Sequence, residues 1–234
     1  MEGSLSAAPL AGQPGELGEP VDFRPAHRPD RTPLGGRYVV LAPVHPERDA
    51  EPLYAVSRPP EIWRYLFDGP YDDAASLRDA LERSAVSEDP FFYTVLRDGN
   101  PQGIVSYLRI TPEHGVIEIG NIWFGTPLQR TAAATEVIYL LARHAFDELG
   151  YRRLEWKCNA LNQPSRRAAE RFGFTFEGVF EQHMVVKGRN RDTAWYATTD
   201  RRWPALRSAF ETWLRPDNFD TDGRQRLSLA ELRA

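Results

Sequence analysis

Asn159-Ala160-Leu161-Asn162-Gln163-Pro164-Ser165-Arg166-Arg167-Ala168-Ala169-Glu170-Arg171-Phe172-Gly173-Phe174 is the stretch on which the reading of the whole chain turns. Pro164 suits the first turn of a helix, where its missing N–H costs nothing, and Gly173 sits where a helix stops. The spacing predicts a helix over Asn162–Phe172. Before it, Arg153–Cys158 reads as a strand with Trp156 and Cys158 on one face. Further upstream, Ala134, Val137, Ile138, Leu141, Ala145 and Leu149 recur three and four apart, which predicts a helix over Thr131–Leu149 that Gly150 ends. A polar loop, Gly125–Thr131, joins that helix to a β-branched and aromatic strand, Val116–Phe124.

Outward from this strand–loop–helix–strand–helix unit, Phe91–Arg97 and Gly103–Thr111 read as strands around the turn Asp98-Gly99-Asn100. Arg37–Leu41 is a short strand, Pro43–Tyr54 a short helix or irregular link, and Ser76–Ser84 a helix. Ile62–Phe67 is amphipathic and stops at Asp68-Gly69-Pro70. Phe174–Phe180 and Met184–Lys187 are strand-like, and Gly188-Arg189-Asn190 turns into Thr193–Thr199. The pattern is that of one mixed α+β or α/β domain. Residues 1–36 hold six Pro and six Gly with few large apolar side chains, so they read as a flexible tail, with a wrap against the domain left open beyond Val21. Residues 204–234 read as an extension whose apolar run, Leu227, Leu229 and Leu232, suits a docked helix over 217–234.

Composition narrows the function. The 234 residues are 41% hydrophobic and 26% charged with net charge −4, which fits a globular chain and disfavours a nucleic-acid binder. A single cysteine allows no intrachain disulfide, and no Cys/His cluster has zinc spacing, so no metal is expected. Apolar runs fall far short of the ~20 residues of a membrane span. A cytoplasmic protein without a membrane partner is the expectation. Of 29 basic residues only Lys157 and Lys187 are lysine, which reads as compositional bias.

The start of the Thr131–Leu149 helix is a place for an anion, because the first-turn N–H groups have no partner and the helix dipole is positive there. On spacing alone an ordinary alanine-rich helix start is an equal reading. Together, however, the quoted stretch and the Glu118–Phe124 strand resemble the GNAT N-acetyltransferase superfamily, in its ribosomal-protein N-terminal acetyltransferase branch. In that family Asn-x-x-Ser after the fifth strand leads into a short helix and Gly-Phe. Glu118–Phe124 is similar to its fourth strand, and Leu128–Glu136 to its pyrophosphate loop. The resemblance spans residues 37–203.

The resemblance implies a mostly antiparallel twisted sheet, flanked by helices and splayed between the fourth and fifth strands. It implies acetyl-CoA as co-substrate and a primary amine as acceptor, either a protein N-terminus or a small molecule, attacking directly in a ternary complex. Backbone groups of Ile122, Trp123 and Phe124 would meet the pantetheine arm. Gln129, Arg130, Thr131, Ala132, Ala133, Ala134 and Thr135 would cradle the pyrophosphate, and Arg166 or Arg167 would meet a phosphate. Ala132 stands where the family usually has glycine, so acetyl-CoA affinity is expected to be retained or moderately weakened. Asn159 and Asn162 would fix cofactor amides or cap the helix.

Glu118 is the candidate base for the acceptor's ammonium, the alternative being a surface carboxylate on an alternating strand. Ser165 matches the position that protonates the leaving thiolate, the alternative being a helix-start hydroxyl. Asn121 could act on the acceptor, Tyr65, Phe67 and Tyr71 could line an apolar slot for it, and His183 lies near the same groove, more simply as a packing side chain. The basic turn Lys187–Asp192 could attract an acidic acceptor or be a solvated loop, and the solvated loop is the favoured reading. Self-association is common in that family and leaves a homodimer open. A catalytically silent acyl-CoA-binding or interaction module on the same scaffold is the alternative function.

Overall fold

The computed structural model describes residues 17–233; residues 1–16 of the expected tail lie outside them. An eight-stranded sheet forms the centre, with strands β1 (Leu34–Gly35), β2 (Val40–Pro43), β3 (Phe91–Arg97), β4 (Asn100–Thr111), β5 (Val116–Phe124), β6 (Arg153–Asn159), β7 (Thr175–Val186) and β8 (Arg189–Thr199). Their spatial order is β1-β2-β3-β4-β5-β6-β8-β7. Every neighbouring pair is antiparallel except β5 and β6, which run parallel. Such a pair needs a crossover, and α3 (Ala132–Arg143) supplies it. Four more helices, α1 (Pro46–Val56), α2 (Ala74–Val86), α4 (Gln163–Arg171) and α5 (Trp203–Trp213), flank the sheet.

Local chemistry explains the elements that frame the site. α3 starts where the Thr131 hydroxyl accepts from the Ala134 amide at 3.1 Å. Ala133 to Ala142 are all buried, so α3 is the central helix of the core. It passes into a π turn over His144–Glu148 and stops at Gly150, whose φ of +80° glycine adopts without strain. α4 begins with Asn162 accepting from the Ser165 amide at 3.2 Å. Gly173 follows it at φ +89°, where Leu206 presses so close that a Cβ would meet it at 2.4 Å.

The sheet corrects several expectations. The two strand pieces 174–180 and 184–187 are one strand, β7, with an irregular register between Phe180 and Met184. Ile62–Phe67 is not a helix; only a single 3₁₀ turn forms, over Pro60–Trp63, because Trp63 is drawn into the core beneath it. The expected flexible tail is laid against the domain from Phe23 onward. Arg152 stacks its guanidinium 5.5 Å from the Phe23 ring, and Ala26 and His27 donate backbone bonds to Pro112 and Leu149. Leu34 then enters the core and the sheet. Few apolar residues suffice here because the backbone donors find acceptors.

The extension at 204–234 is likewise not separate. Its helix is α5, whose Trp203, Leu206, Ala209, Phe210 and Trp213 are buried. Residues 217–233 form short turns rather than a docked helix, although Leu229 does reach the core. One cluster of buried side chains includes both Ala26 and Leu229, so the boundaries expected at 36/37 and 203/204 cut through packed structure.

One carboxylate fixes how the chain enters the sheet. Glu136, buried on α3, accepts from the amides of Arg37, Tyr38 and Val39 at 2.7, 2.6 and 2.9 Å. Gly36 must lack a side chain there, since a Cβ would sit 2.4 Å from the carboxylate. Charge-assisted bonds of this kind are each worth roughly 1.5–3 kcal/mol. Glu136→Ala should therefore lower stability by about 3 kcal/mol, read from the midpoint of urea unfolding. A loss below about 1 kcal/mol would mean that water replaces the carboxylate at these amides.

Candidate functional site

β5 and β6 pair in register from Val116 with Arg153 to Ile119 with Trp156, and there the pairing ends. The cause lies on the other side of β5. Between Ile104–Trp123 and Ser106–Gly120, two steps along β4 face three along β5, a bulge at Asn121 and Ile122. Asn121 holds a φ of +49°, and its amide donates to Ser106 Oγ at 3.0 Å. The bulge turns β5 away, so the backbone edges at 120–124 and 157–159 face each other unpaired across a groove of about 1660 Å³. Ile122 and Phe124 line this groove, whereas the Trp123 side chain packs against Trp63 on the opposite side, leaving only its backbone at the edge.

One end of the groove is the start of α3. Leu128 and Gln129 bond back to the Gly125 carbonyl, and Arg130 adopts a φ of +60°. That left-handed residue turns the chain so that successive amides point the same way. Among the described residues, the amides of Arg130, Thr131, Ala132 and Ala133 have no backbone acceptor. Gln129, Arg130, Thr131, Ala132, Ala134 and Thr135 line the groove, while the Ala133 side chain is turned into the core. Gln129 Nε2 donates to the Phe124 carbonyl at 2.8 Å, which ties the loop to the open strand edge.

α4 forms the facing wall. Ser165 is not a capping hydroxyl, because Asn162 performs that task; Ser165 Oγ instead accepts from Trp156 Nε1 at 3.0 Å. An accepted bond uses an oxygen lone pair and leaves Ser165 able to act as a donor. Cys158 is buried beside it: burial pushes the thiol up, and the Ser165 hydrogen bond opposes this. Asn159 lines the groove and accepts from the Leu161 amide at 2.9 Å. Arg166 requires a correction. Its Nε donates to the Tyr196 hydroxyl at 3.0 Å and its guanidinium covers Phe176, outside the groove. Arg167 and Arg171 line the groove in its place, one helical step and one turn further on.

Where the strands part, Glu118 is 3% exposed, so the surface-carboxylate reading is excluded. Its Oε2 meets Arg109 Nη1 at 2.7 Å and Lys157 Nζ at 2.9 Å. Lys157, on β6, also contacts Glu155 at 2.6 Å and stands 3.7 Å above the Trp195 ring. Glu155 in turn meets Arg153 at 2.7 Å, and Arg153 pairs with Glu177. Burial pushes the Glu155 carboxyl up, yet Lys157 and Arg153 outweigh it and hold it below its ordinary value. Arg109 is positioned by a second β4 irregularity: at φ +49° its amide and that of Ile110 are held by the Asp89 carboxylate.

The remaining wall comes from segments far away in sequence. Tyr65 and Phe67 line the groove, and the Tyr65 hydroxyl donates to the Leu161 carbonyl at 3.2 Å. Tyr71 does not join them. It packs edge-on against Trp63 in a separate cavity of about 380 Å³, and burial pushes its hydroxyl up to about 12. Asn121 lines both cavities. His183 lines the groove with Nδ1 2.9 Å from Thr193 Oγ1 and its ring near Phe180 and Trp195. Partial burial, then Arg109, Arg191 and Lys157, lower its pKa, so it is neutral at pH 7. The turn expected to be solvated is exposed from Lys187 to Asn190, but it is anchored at both ends. Lys187 Nζ donates to the carbonyls of Trp63, Asp68 and Gly69 at 3.0, 3.1 and 2.6 Å, and Arg191 is buried against the groove.

Sequence reasoning therefore missed Arg109, Lys157, Arg171 and Arg191. Alternation along Arg153, Glu155, Lys157 and Asn159 and the scarcity of lysine were signals for Lys157. Arg109 carried none, since its role depends on a bulge; Arg191 was signalled only as one member of the basic turn, for which the solvated reading was favoured. Among the described residues no group of His, Cys, Asp and Glu side chains is arranged to hold a metal, and no helix is long and apolar enough to cross a membrane.

Residues 39–175 match the family described as acetyltransferase (GNAT) domain. A crystal structure of a GCN5-related N-acetyltransferase from Brucella melitensis is 45% identical, covers 91% of this chain and 98% of its own, and superposes with TM-score 0.89. YdaF of Bacillus subtilis (strain 168), provisionally named as a ribosomal N-acetyltransferase, is 25% identical over 168 residues, 70% of this chain and 91% of that protein. The microcin C7 self-immunity acetyltransferase MccE, solved in complex with acetyl-CoA and AMP, shares the fold at TM-score 0.64 and 23% identity, over 72% of this chain and 98% of its own.

Lys157 has a 3% exposed side chain between two carboxylates, so removing its charge leaves each with only its outer arginine and the pair facing each other without the bridging cation. Breaking a buried ion pair from one side costs about 3–5 kcal/mol. Lys157→Met should show a loss of that order in urea unfolding, whereas Arg166→Gln, outside the groove, should bind acetyl-CoA as the wild type does by calorimetry.

Proposed function

The chain belongs to the GNAT acetyltransferase family, and we propose that it transfers the acetyl group of acetyl-CoA to the primary amine of an acceptor by direct attack in a ternary complex. The observation that carries this reading is the parted pair β5/β6, with free amides at one end of the gap and the buried Glu118 carboxylate at its root. The residues fit the co-substrate. Unpaired backbone at Ile122 to Phe124 suits the amides of a pantetheine arm. The partnerless amides of Arg130 to Ala133, with Arg167 and Arg171, suit phosphates. The methyl of Ala132 borders this cradle without closing it, since Ala132 lines the groove and its amide is free.

When bound, acetyl-CoA supplies an activated thioester. The chain's task is to handle protons. Amines titrate near ~8 (α-amino) or ~10 (side chain), so the acceptor arrives as an ammonium. The Glu118 carboxylate takes that proton directly or through a water. As the new N–C bond forms and the C–S bond breaks, the leaving thiolate needs a donor. The amine nitrogen sheds its second proton as the amide forms, and the sulfur takes up that proton while Ser165, held by Trp156, would hydrogen-bond the leaving sulfur. No covalent enzyme intermediate is required, which accords with a buried Cys158 whose thiol burial keeps protonated. An N-acetyltransferase of protein N-termini or of small amines both meet this description.

Thiol release from acetyl-CoA over a panel of peptides and small amines tests the reading. General-base removal typically costs about 10²–10⁴-fold, so Glu118→Gln should lower kcat at pH 7 by at least about a hundredfold. That deficit should shrink as pH rises through the acceptor's own pKa, because a free amine needs no base. An undiminished deficit at high pH would remove Glu118 from the role. Ser165→Ala should lower kcat by less, with acetyl-CoA affinity retained in calorimetry. Binding of acetyl-CoA without release to any amine would point to a silent acyl-CoA-binding module instead.

A further inference from the structure

Charge around the groove is lopsided. Arg64, Arg109, Arg130, Lys157, Arg167, Arg171 and Arg191 line it, against only Glu61 and Glu118, in a chain of net charge −4. Arg130, Arg167 and Arg171 lie at the end assigned above to phosphates. At the other end, Arg109, Glu118, Lys157, Glu155, Arg153 and Glu177 form a continuous chain of alternating sign that balances itself. Arg64, which is exposed, and Arg191, which is buried, are left over.

Arg191 is also held in place. It is only 8% exposed, and its guanidinium stacks 4.9 Å from the Phe67 ring. Phe67 is carried on the loop that Lys187 fastens by three carbonyls. Arg191 Nε is sealed without a hydrogen-bond partner, and no carboxylate pairs with the group among the described residues. Arg191 is one of the residues that line the groove. A buried guanidinium without a counter-ion is costly unless a ligand supplies one, and its planar fork suits a carboxylate or a phosphate.

We infer that Arg191, backed by Phe67, is the docking point for an anionic group, a carboxylate or phosphate, carried by the same molecule as the acceptor amine. This rests on the transferase reading and narrows it. The acceptor would be an amino acid, an acidic peptide N-terminus or a phosphorylated amine, with its cationic end toward Glu118 and its anionic end on Arg191. A polyamine would instead meet surplus positive charge.

The test compares thiol release for matched acceptors: glutamate against glutamine, γ-aminobutyrate against its amide, O-phosphoethanolamine against ethanolamine, with spermidine as the cationic control. The carboxylate and phosphate arms identify which anion is read. A charge-assisted fork is expected to favour the anionic member by roughly ten- to hundredfold in kcat/KM. In Arg191→Gln that ratio should fall towards one through KM, with acetyl-CoA affinity by calorimetry as the check on folding. Arg191→Lys, which keeps charge but not the fork, should restore part of it. Equal use of neutral members or spermidine, or an anion preference that survives in Arg191→Gln, would overturn the inference and leave the transferase standing. Silence with every amine would overturn the transferase reading, and this inference with it.

Discussion

A buried ammonium at the fork of two parallel strands is the constraint on which the site depends. Lys157 reaches from β6 to Glu118 on β5 and to Glu155 on its own strand. Glu118 and Glu155 are direct register partners, so without a cation two carboxylates would face each other at the root of the gap. In a sheet that zipped shut beyond Ile119 this charge would be an unrewarded desolvation cost. Here it lies where pairing has stopped, beside a groove that admits ligand and water. The opening of the sheet and the placing of a carboxylate at its floor are one arrangement, made by the Asn121 bulge on one side and the ion chain on the other.

The two lysines illustrate how little the arginine bias explains. Lys187 donates to three carbonyls converging from one loop, and Lys157 bridges two carboxylates above an indole face. Both places ask for a compact charge with donors spread tetrahedrally, which a planar guanidinium fits poorly. Where recognition of a flat anion is wanted, at Arg191, the chain uses arginine.

Most of the frame was legible because it follows from short-range rules. Thr131 and Asn162 cap helices, Gly150 and Gly173 end them, and Phe91–Arg97 and Val116–Phe124 have the bounds their composition suggested. The family resemblance placed the gap between the right strands. Less was legible where long-range contacts override composition. Residues 23–36 lie against the domain because Phe23, Ala26 and Leu34 pack where no local pattern announces it. Arg166 and Arg167 are adjacent, and only the helix phase set by the Asn162 cap decides which of them faces the groove.

This difference also separates the two ends of the groove in kind. The end near α3 is built from backbone amides and strand edges, which almost any side chains can present, so its chemistry is shared across a family. The other end is built from side chains delivered by a loop, two bulges and a hairpin: Phe67, Arg109, Glu118 and Arg191. Their identities are free to vary without disturbing the sheet, since only the ion chain through Lys157 ties them to it. Family membership therefore constrains the donor far more than the acceptor. In this chain the proposed reading of the acceptor rests on Arg191, a buried guanidinium that no carboxylate pairs with among the described residues.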